Sequence, residues 1–308
     1  MPLDHPRAVV LGGAGMLGHR VFLTLREYSP AVVCTVRRRP PGIPPLAGAD
    51  VVEGVDLMNL DEVDHLLRCW RPELVVNCAG IVKQRAEAHD AVACLTINAL
   101  LPHRVARTLE DWGGRLIHFS TDCVFTGRKG SYRESDPADA EDLYGRSKLL
   151  GEVDAPNALT LRTSMIGREL TCARGLLEWL LASEGRVVRG YRRAVYSGLT
   201  TPALAGIVAE LWTRRTRMRG VYHVAGDPIS KFSLLHLLKD AFGIKIEIRA
   251  DDEVLCGRSL IDDRFRAATG TARPSWAELV RELAADRTTY TAWKKTGITE
   301  ESSLANAF

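Results

Sequence analysis

The chain has 308 residues, 46% of them apolar, which suits a globular protein with one large α/β domain or a domain and a smaller lobe. Its 41 basic and 38 acidic residues leave a net charge of +3, too small to imply a nucleic acid or another polyanion as partner. No run of about 18 apolar residues spans a membrane, and no amino-terminal signal pattern is visible. The seven cysteines (Cys34, Cys69, Cys78, Cys94, Cys123, Cys172 and Cys256) form no close pairs, which implies reduced thiols in a cytoplasmic protein without zinc or disulfides.

In chain order, the β-branched run Arg7-Ala8-Val9-Val10-Leu11 reads as a buried strand. It enters Gly12-Gly13-Ala14-Gly15-Met16-Leu17-Gly18, and an amphipathic helix follows to about Tyr28. Strand, glycine turn and helix together are the setting of a dinucleotide site. Gly12 permits the tight turn, Gly15 admits the pyrophosphate to the backbone, and Gly18 lets helix pack on strand. Met16 and Leu17 lie where the helix amino terminus faces the phosphates. The spacing is Gly-x-x-Gly-x-x-Gly rather than Gly-x-Gly-x-x-Gly, and without its flanking elements it would read as a structural turn.

Ala31-Val32-Val33-Cys34-Thr35-Val36 is the second strand. Where a carboxylate would signal NAD, this strand runs into Arg37-Arg38-Arg39. A guanidinium pairs bidentately with phosphate, so Arg37 and Arg38 point to NADPH, with NADH left open. The bland alternative is a surface run before the loop of Pro40, Pro41, Pro44 and Pro45. A third strand over residues 51–57 ends in Asp56-Leu57, placed to meet the adenine. Residues 61–70 read as a helix capped by Asp61. Residues 74–78 form strand four, with Cys78, Ala79 and Gly80 beside the nicotinamide ribose. A helix over residues 90–112 carries Asn98, and a buried helix asparagine is more often a structural hydrogen-bonder than a catalyst.

Strand five covers residues 116–119, and a helix bearing Tyr144 and Lys148 runs to about Val153. Beyond it come strands at 158–162, 186–189 and 220–226, an exposed strand at 244–248, and helices at 175–182, 202–213, 232–242 and 276–284. Strands alternating with helices give an α/β fold, a Rossmann-type doubly wound parallel sheet. Residues 1–166, joined again by 200–226, form the NADP-binding domain, and residues 167–199 with 227–308 form a smaller carboxy-terminal α/β substrate lobe.

The chemistry concentrates where strand five breaks into Ser120-Thr121-Asp122-Cys123, followed by Tyr144-Gly145-Arg146-Ser147-Lys148. Residues four apart share a helix face. A phenol titrates near pH 10, and a neighbouring ammonium favours its phenolate and lowers that value. Tyr144 can then protonate a carbonyl oxygen while a nicotinamide delivers hydride. Thr121 would hold the same oxygen, and Lys148 would reach the ribose hydroxyls. The Tyr-x-x-x-Lys spacing recurs at Tyr290 and Lys294, but with no hydroxyl-ended strand shortly before it, and reads there as coincidence.

The glycine turn at 12–18, residues 77–80, Asn98, Ser120-Thr121-Asp122 with Val124-Phe125, Tyr144 to Lys148, and Arg162-Thr163-Ser164 span about half the chain. On these segments the chain resembles an extended short-chain dehydrogenase/reductase, specifically the dTDP-4-dehydrorhamnose reductase group of sugar-nucleotide reductases. The resemblance implies NADPH-dependent reduction of a 4-keto group on a nucleotide-linked deoxysugar. It implies Thr121, Tyr144, Lys148 and Asn98 as the catalytic set, with Asn98 supporting Lys148 through a water. Phe119 would lie on the cofactor, and Thr121 and Asp122 on the sugar.

Two departures fall near that sugar: Cys123 replaces the usual tyrosine, and Met165 replaces an aromatic. Both put the rhamnose precursor itself in question. Related GDP-fucose synthases use a cysteine there for epimerisation, with a histidine from the next lobe. This chain has no histidine between His118 and His223, so Cys123 reads as a packing residue. Dehydratase relatives carry a glutamate at that position, so Cys123 argues against dehydration. Two other readings stay open: an epimerase that retains NAD, and a non-catalytic dinucleotide-binding regulatory subunit like that of methionine adenosyltransferase. The partner implied is a nucleotide sugar, and a homodimer is left open.

Overall fold

The computed structural model describes residues 6–39, 46–48, 50–83, 86–170, 174–286, 288 and 290. The amino-terminal half alternates β1 (Ala8–Leu11), α1 (Gly18–Tyr28), β2 (Val32–Val36), β3 (Val51–Glu53), α2 (Leu60–Trp70) and β4 (Leu74–Asn77). It continues through α3 (Ala91–Cys94), α4 (Leu101–Glu110), β5 (Arg115–Thr121), α5 (Leu143–Leu150) and β6 (Ala158–Thr163). Then follow β7 (Met165–Ile166), α6 (Leu176–Leu181), β8 (Val187–Tyr191), β9 (Ala194–Tyr196), β10 (Leu199–Thr200), α7 (Thr201–Thr213) and β11 (Gly220–His223). The described chain closes with β12 (Ile229–Ser230), α8 (Lys231–Phe242), β13 (Glu247–Asp251), β14 (Cys256–Gly257), α9 (Asp263–Thr269) and α10 (Trp276–Ala284).

Seven strands form one sheet in the order β11-β6-β5-β4-β1-β2-β3, every neighbouring pair parallel. This is the Rossmann-like α/β architecture expected. Strands covered on both faces read as continuous apolar runs, as Ala8–Leu11 and Val32–Val36 do. Side chains alternate between faces. Val9, Leu11, Val33, Val75 and Leu116 pack under α2 and α4, meeting Leu67, Leu101 and Val105. Ala8, Val10, Val32, Val76 and Ile117 face the other way, onto Val21 and Leu25 of α1 and Leu204 and Val208 of α7.

Several elements depart from expectation. The cap of α2 is Asn59, whose side chain accepts the Glu62 N–H; Asp61 already lies inside the helix. The helix expected over 90–112 is divided into α3, a π-helical segment at Leu95–Leu100, and α4. Asn98 sits in that π segment, where the wider turn displaces side chains from regular helical positions. Helix α5 ends at Leu150, short of Val153. The strand placed at 244–248 forms instead at Glu247–Asp251 beside β8, and Ile244 and Ile246 are buried rather than exposed. The two-residue strands β7, β10, β12 and β14 were not expected. Among the described residues, no helix is long and apolar enough to cross a membrane.

Beneath the carboxyl end of β5 lies a buried ion pair. Arg162 donates through Nε and Nη2 to the two Glu152 oxygens, both at 2.6 Å, and Ser120 Oγ donates to Oε1 of the same carboxylate at 2.7 Å. The Arg162 and Glu152 side chains are 8% and 6% exposed, so neither charge has water to fall back on. Arg162→Met should lower unfolding free energy by about 3–5 kcal/mol in urea titrations, because it strands a buried carboxylate. A loss below about 1 kcal/mol would mean that the pair is not desolvated as described.

Candidate active site

The site begins where β1 turns into α1. Gly12 has φ +82°, and a Cβ there would also stand 3.0 Å from the Ala79 nitrogen. A Cβ on Gly18 would run into the Gly12 carbonyl oxygen, so helix and strand end meet without side chains between them. Among the described residues, no acceptor takes the backbone N–H of Ala14, Met16 or Leu17. A left-handed glycine followed by open N–H groups at a helix start fits a dinucleotide pyrophosphate. Leu17 can offer only its backbone, since its side chain is buried in the core. The Met16 side chain reaches Gly175, which precedes α6.

Arg37 and Arg38 are exposed beyond β2. Arg39 is occupied as a loop brace, donating to the carbonyls of Ala47, Gly48 and Val51 at 3.0, 3.2 and 2.6 Å. Asp56 is exposed and accepts the Met58 N–H at 3.1 Å, with Leu57 half-buried beside it. Cys78, Ala79 and Gly80 follow β4, and Cys78 N–H donates to the Leu11 carbonyl at 3.1 Å.

Asp142 caps α5 by accepting the Gly145 N–H at 2.8 Å, and its second oxygen pairs with Lys83 at 2.8 Å. Lys83 Nζ stands 5.9 Å from the Tyr144 ring. The Thr121 hydroxyl, at the end of β5, donates to Asp122 Oδ1 at 3.2 Å, accepts the Cys123 N–H at 3.1 Å, and acts on the Tyr144 phenol to favour its ionised form. Lys148 Nζ, one turn along, donates to the Phe119 carbonyl at 2.5 Å and lies 3.3 Å from His118 Nε2. The Phe119 ring packs into the core. Asn98 spends its groups locally: Oδ1 accepts the Ile81 N–H at 2.9 Å, and Nδ2 donates to the Ile81 carbonyl and to Ser147 Oγ at 3.0 and 3.1 Å. It thereby clips the segment after β4 to α5.

Burial dominates the electrostatics. It pushes the Tyr144 phenol up from its ordinary value; Cys123 adds to the rise, and the Thr121 hydroxyl opposes it. It brings Lys148 down to about 8 against the pull of Glu152 and Cys78. A lysine lowering its tyrosine is therefore not the arrangement found, because both groups are desolvated and Lys148 is turned toward Phe119 and His118. Asp122 is raised by burial, with Arg258 and Lys231 opposing. Burial and then Asp122 push the Cys123 thiol up to about 12. Met165 is half-buried on β7, opposite Leu199.

Three residues near this site carried no readable signal: His118, Lys231 and Arg258. Lys231 opens α8 with its ammonium 4.5 Å over the Tyr196 ring, and Arg258 donates to the Phe125 carbonyl at 2.9 Å. The second tyrosine, Tyr290, is a packing residue. It donates to Asp286 at 2.8 Å, meets His19 Nε2 at 3.1 Å, and lies under the Arg168 guanidinium at 4.4 Å. Lys294 and Cys172 lie outside the described residues. Among the described residues, no cluster of His, Cys, Asp or Glu could hold a metal ion.

Residues 7–295 match the RmlD substrate binding domain. The probable low-salt glycan biosynthesis reductase Agl14 of Haloferax volcanii is 31% identical over 280 residues, 87% of either chain. The methionine adenosyltransferase 2 subunit beta of Danio rerio is 26% identical over 254 residues, 77% of this chain and 74% of its own. The crystal structure of dTDP-4-dehydrorhamnose reductase from Bacillus anthracis, in complex with NADP, shares the fold with a TM-score of 0.75 at 19% identity, covering 91% of this chain and 98% of its own.

A thiol raised to about 12 is a poor nucleophile at neutral pH. At pH 8 Cys123 should react with iodoacetamide roughly 10³-fold more slowly than an ordinary thiol, because its thiolate is that much scarcer. Peptide mapping by mass spectrometry against the exposed Cys69 checks this. Comparable labelling of the two would mean that Cys123 is activated.

Proposed function

Because the chain belongs to the RmlD substrate-binding-domain family, we propose that it is an NADPH-dependent reductase of a 4-keto group on a nucleotide-linked deoxysugar. The observation that carries this reading is the close seating of α5, which bears Tyr144, on the chain that follows the Thr121 end of β5, together with a turn that fits a dinucleotide. Bound NADPH supplies the hydride. Tyr144, raised by burial, keeps its proton through neutral pH and donates it from the phenol oxygen to the keto oxygen. Thr121 donates a hydrogen bond to the same oxygen and holds it in place. Lys148 turns to the nicotinamide ribose, and Asn98 keeps the segment after β4 against α5. Arg37 and Arg38 pair with the 2′-phosphate, which favours NADPH over NADH.

In this reading residues 1–166 and 200–226 hold the cofactor, while 167–199 and 227–308 form the substrate lobe. Asp122, Cys123 and Met165 face the sugar. A cysteine and a methionine there alter the pocket relative to the rhamnose enzymes, which puts the rhamnose precursor itself in question as the substrate. The likeness to the methionine adenosyltransferase subunit favours one rival, a dinucleotide-binding regulatory subunit. The Thr121, Tyr144 and Lys148 set is dispensable for that role.

NADPH oxidation against a panel of nucleotide-linked 4-keto-6-deoxy sugars separates the two. A reductase turns over at least one member; a regulatory subunit binds NADPH and turns over none. Tyr144→Phe should lower kcat by about 10²–10⁴ with NADPH affinity little changed, and near-normal turnover would remove the tyrosine from the mechanism. With Lys148 at about 8, its ammonium is present below that pH and lost above it. The kcat/KM profile of the free enzyme should therefore fall on the alkaline side of about 8, well before Tyr144 ionises; a flat profile to pH 10 would contradict the assignment. Replacing Arg37 and Arg38 together by Ser should raise KM for NADPH by about tenfold or more relative to NADH. An unchanged ratio would place the phosphate contact elsewhere.

A further inference from the structure

Asn77 ends β4, and its register partner on β5 is His118. Both side chains are fully buried. Asn77 Oδ1 accepts the Ala79 N–H at 3.1 Å, which fixes the amide, since the flipped amide would set one donor against another. Its Nδ2 therefore faces His118 Nδ1, at 3.2 Å. An amide donor makes Nδ1 the acceptor of the ring, and the one proton of a neutral imidazole then sits on Nε2. That Nε2–H lies 3.3 Å from Lys148 Nζ, which also donates to the Phe119 carbonyl. A neutral amine can accept an N–H with its lone pair; an ammonium has none to offer.

We propose that Asn77 and His118 are a positioning pair for Lys148. Asn77 selects the imidazole tautomer, and the N–H so placed decides how readily Lys148 takes up its proton and turns away toward a ribose hydroxyl. The functional half of this inference rests on the reading of Lys148 given above. The pair also fills the supporting place expected of Asn98, whose amide is committed to Ile81 and Ser147.

Other ionisable groups act at this point. Cys78, after β4, and Glu152, beyond α5, both favour the ammonium. His103 on α4 and Lys148 itself add to the burial that holds His118 well below its ordinary range, so the ring is neutral. Neither Cys78 nor Glu152 contributes a donor aimed at Nζ, and the tautomer is the feature that distinguishes His118.

Asn77→Asp tests this, because it keeps the shape and inverts the pattern. The carboxylate still accepts the Ala79 N–H but now also accepts from Nδ1–H, leaving Nε2 as an acceptor for the ammonium. The Lys148 ε-carbon resonance of ¹³C-lysine-labelled protein, assigned by its loss in Lys148→Met, reports the titration directly. The midpoint near 8 should rise by about one pH unit or more, a tenfold gain in proton affinity. The added negative charge would raise it somewhat by itself, so the same substitution is made in a His118→Phe background. There the shift should shrink to less than half; His118→Leu replaces His118→Phe if the latter fails to fold. An equal shift in both backgrounds, or none in the parent, overturns the proposal. A parallel fluorescence titration with NADPH keeps the two claims apart. Failure of the parent protein to bind NADPH would defeat the functional reading, whereas an unmoved midpoint in a protein that binds NADPH would defeat only the pair.

Discussion

Helix α5 lies so close to its neighbours that two positions cannot carry a side chain. A Cβ on Gly145 would collide with the Cys123 carbonyl oxygen, and one on Gly151, just past the helix, with the Asn98 carbonyl oxygen. Bare backbone at both ends seats the helix directly on the end of β5 and on the π-helical segment. That approach brings Tyr144 to Thr121 and Lys148 to the Phe119 carbonyl. Asn98 then joins the segment after β4 to Ser147 on the same helix. A side chain at either position would push α5 outward and draw Lys148 away from the Phe119 carbonyl by more than a hydrogen bond tolerates.

The closeness sets the electrostatics as well. Packing that leaves no room for side chains leaves little for water, and desolvation is the leading influence on Tyr144, Lys148, Asp122 and Cys123. Burial opposes charge of either sign, so acids rise and bases fall. The phenol keeps its proton and the lysine gives its proton up more readily, as the proposed reduction asks of them. Below the site, the Arg162–Glu152 pair is equally buried but satisfied on both sides, and through Ser120 it is tied to the end of β5.

Much of this was legible in the residues. The β-branched runs at Val9, Val33 and Val75 gave the parallel sheet, because a strand covered on both faces has no polar positions to alternate with. The glycine turn, the Ser120-Thr121 strand end and the Tyr144/Lys148 spacing could be read because each is local. What escaped depends on distant packing. The strands of two residues have too little sequence for any period. Ile244 and Ile246 looked like an exposed strand because only the folded core they share with Leu234, Leu235 and Leu238 of α8 reveals their burial. Asn59 was passed over as a cap because Asp61 lies in the first turn and carries the same preference. His118 was read only as part of strand five, and nothing local indicates that it stands between Asn77 and Lys148. Lys231 and Arg258 lie over a hundred positions from Asp122, yet both act on it. The lowering of Tyr144 expected from Lys148 failed for a related reason, since spacing gives proximity but not solvation.

The account stands on hydride transfer to a keto carbon with proton delivery from this one helix. Single-turnover reaction of NADPH deuterated at the transferable C4 position with a nucleotide-linked 4-keto-6-deoxy sugar tests it most directly, with the product examined by NMR. The account predicts one deuterium on the former keto carbon, in a single configuration, and its near absence from reactions of Tyr144→Phe over the same interval. Deuterium that stays on the dinucleotide, in a protein that binds both molecules, would contradict it.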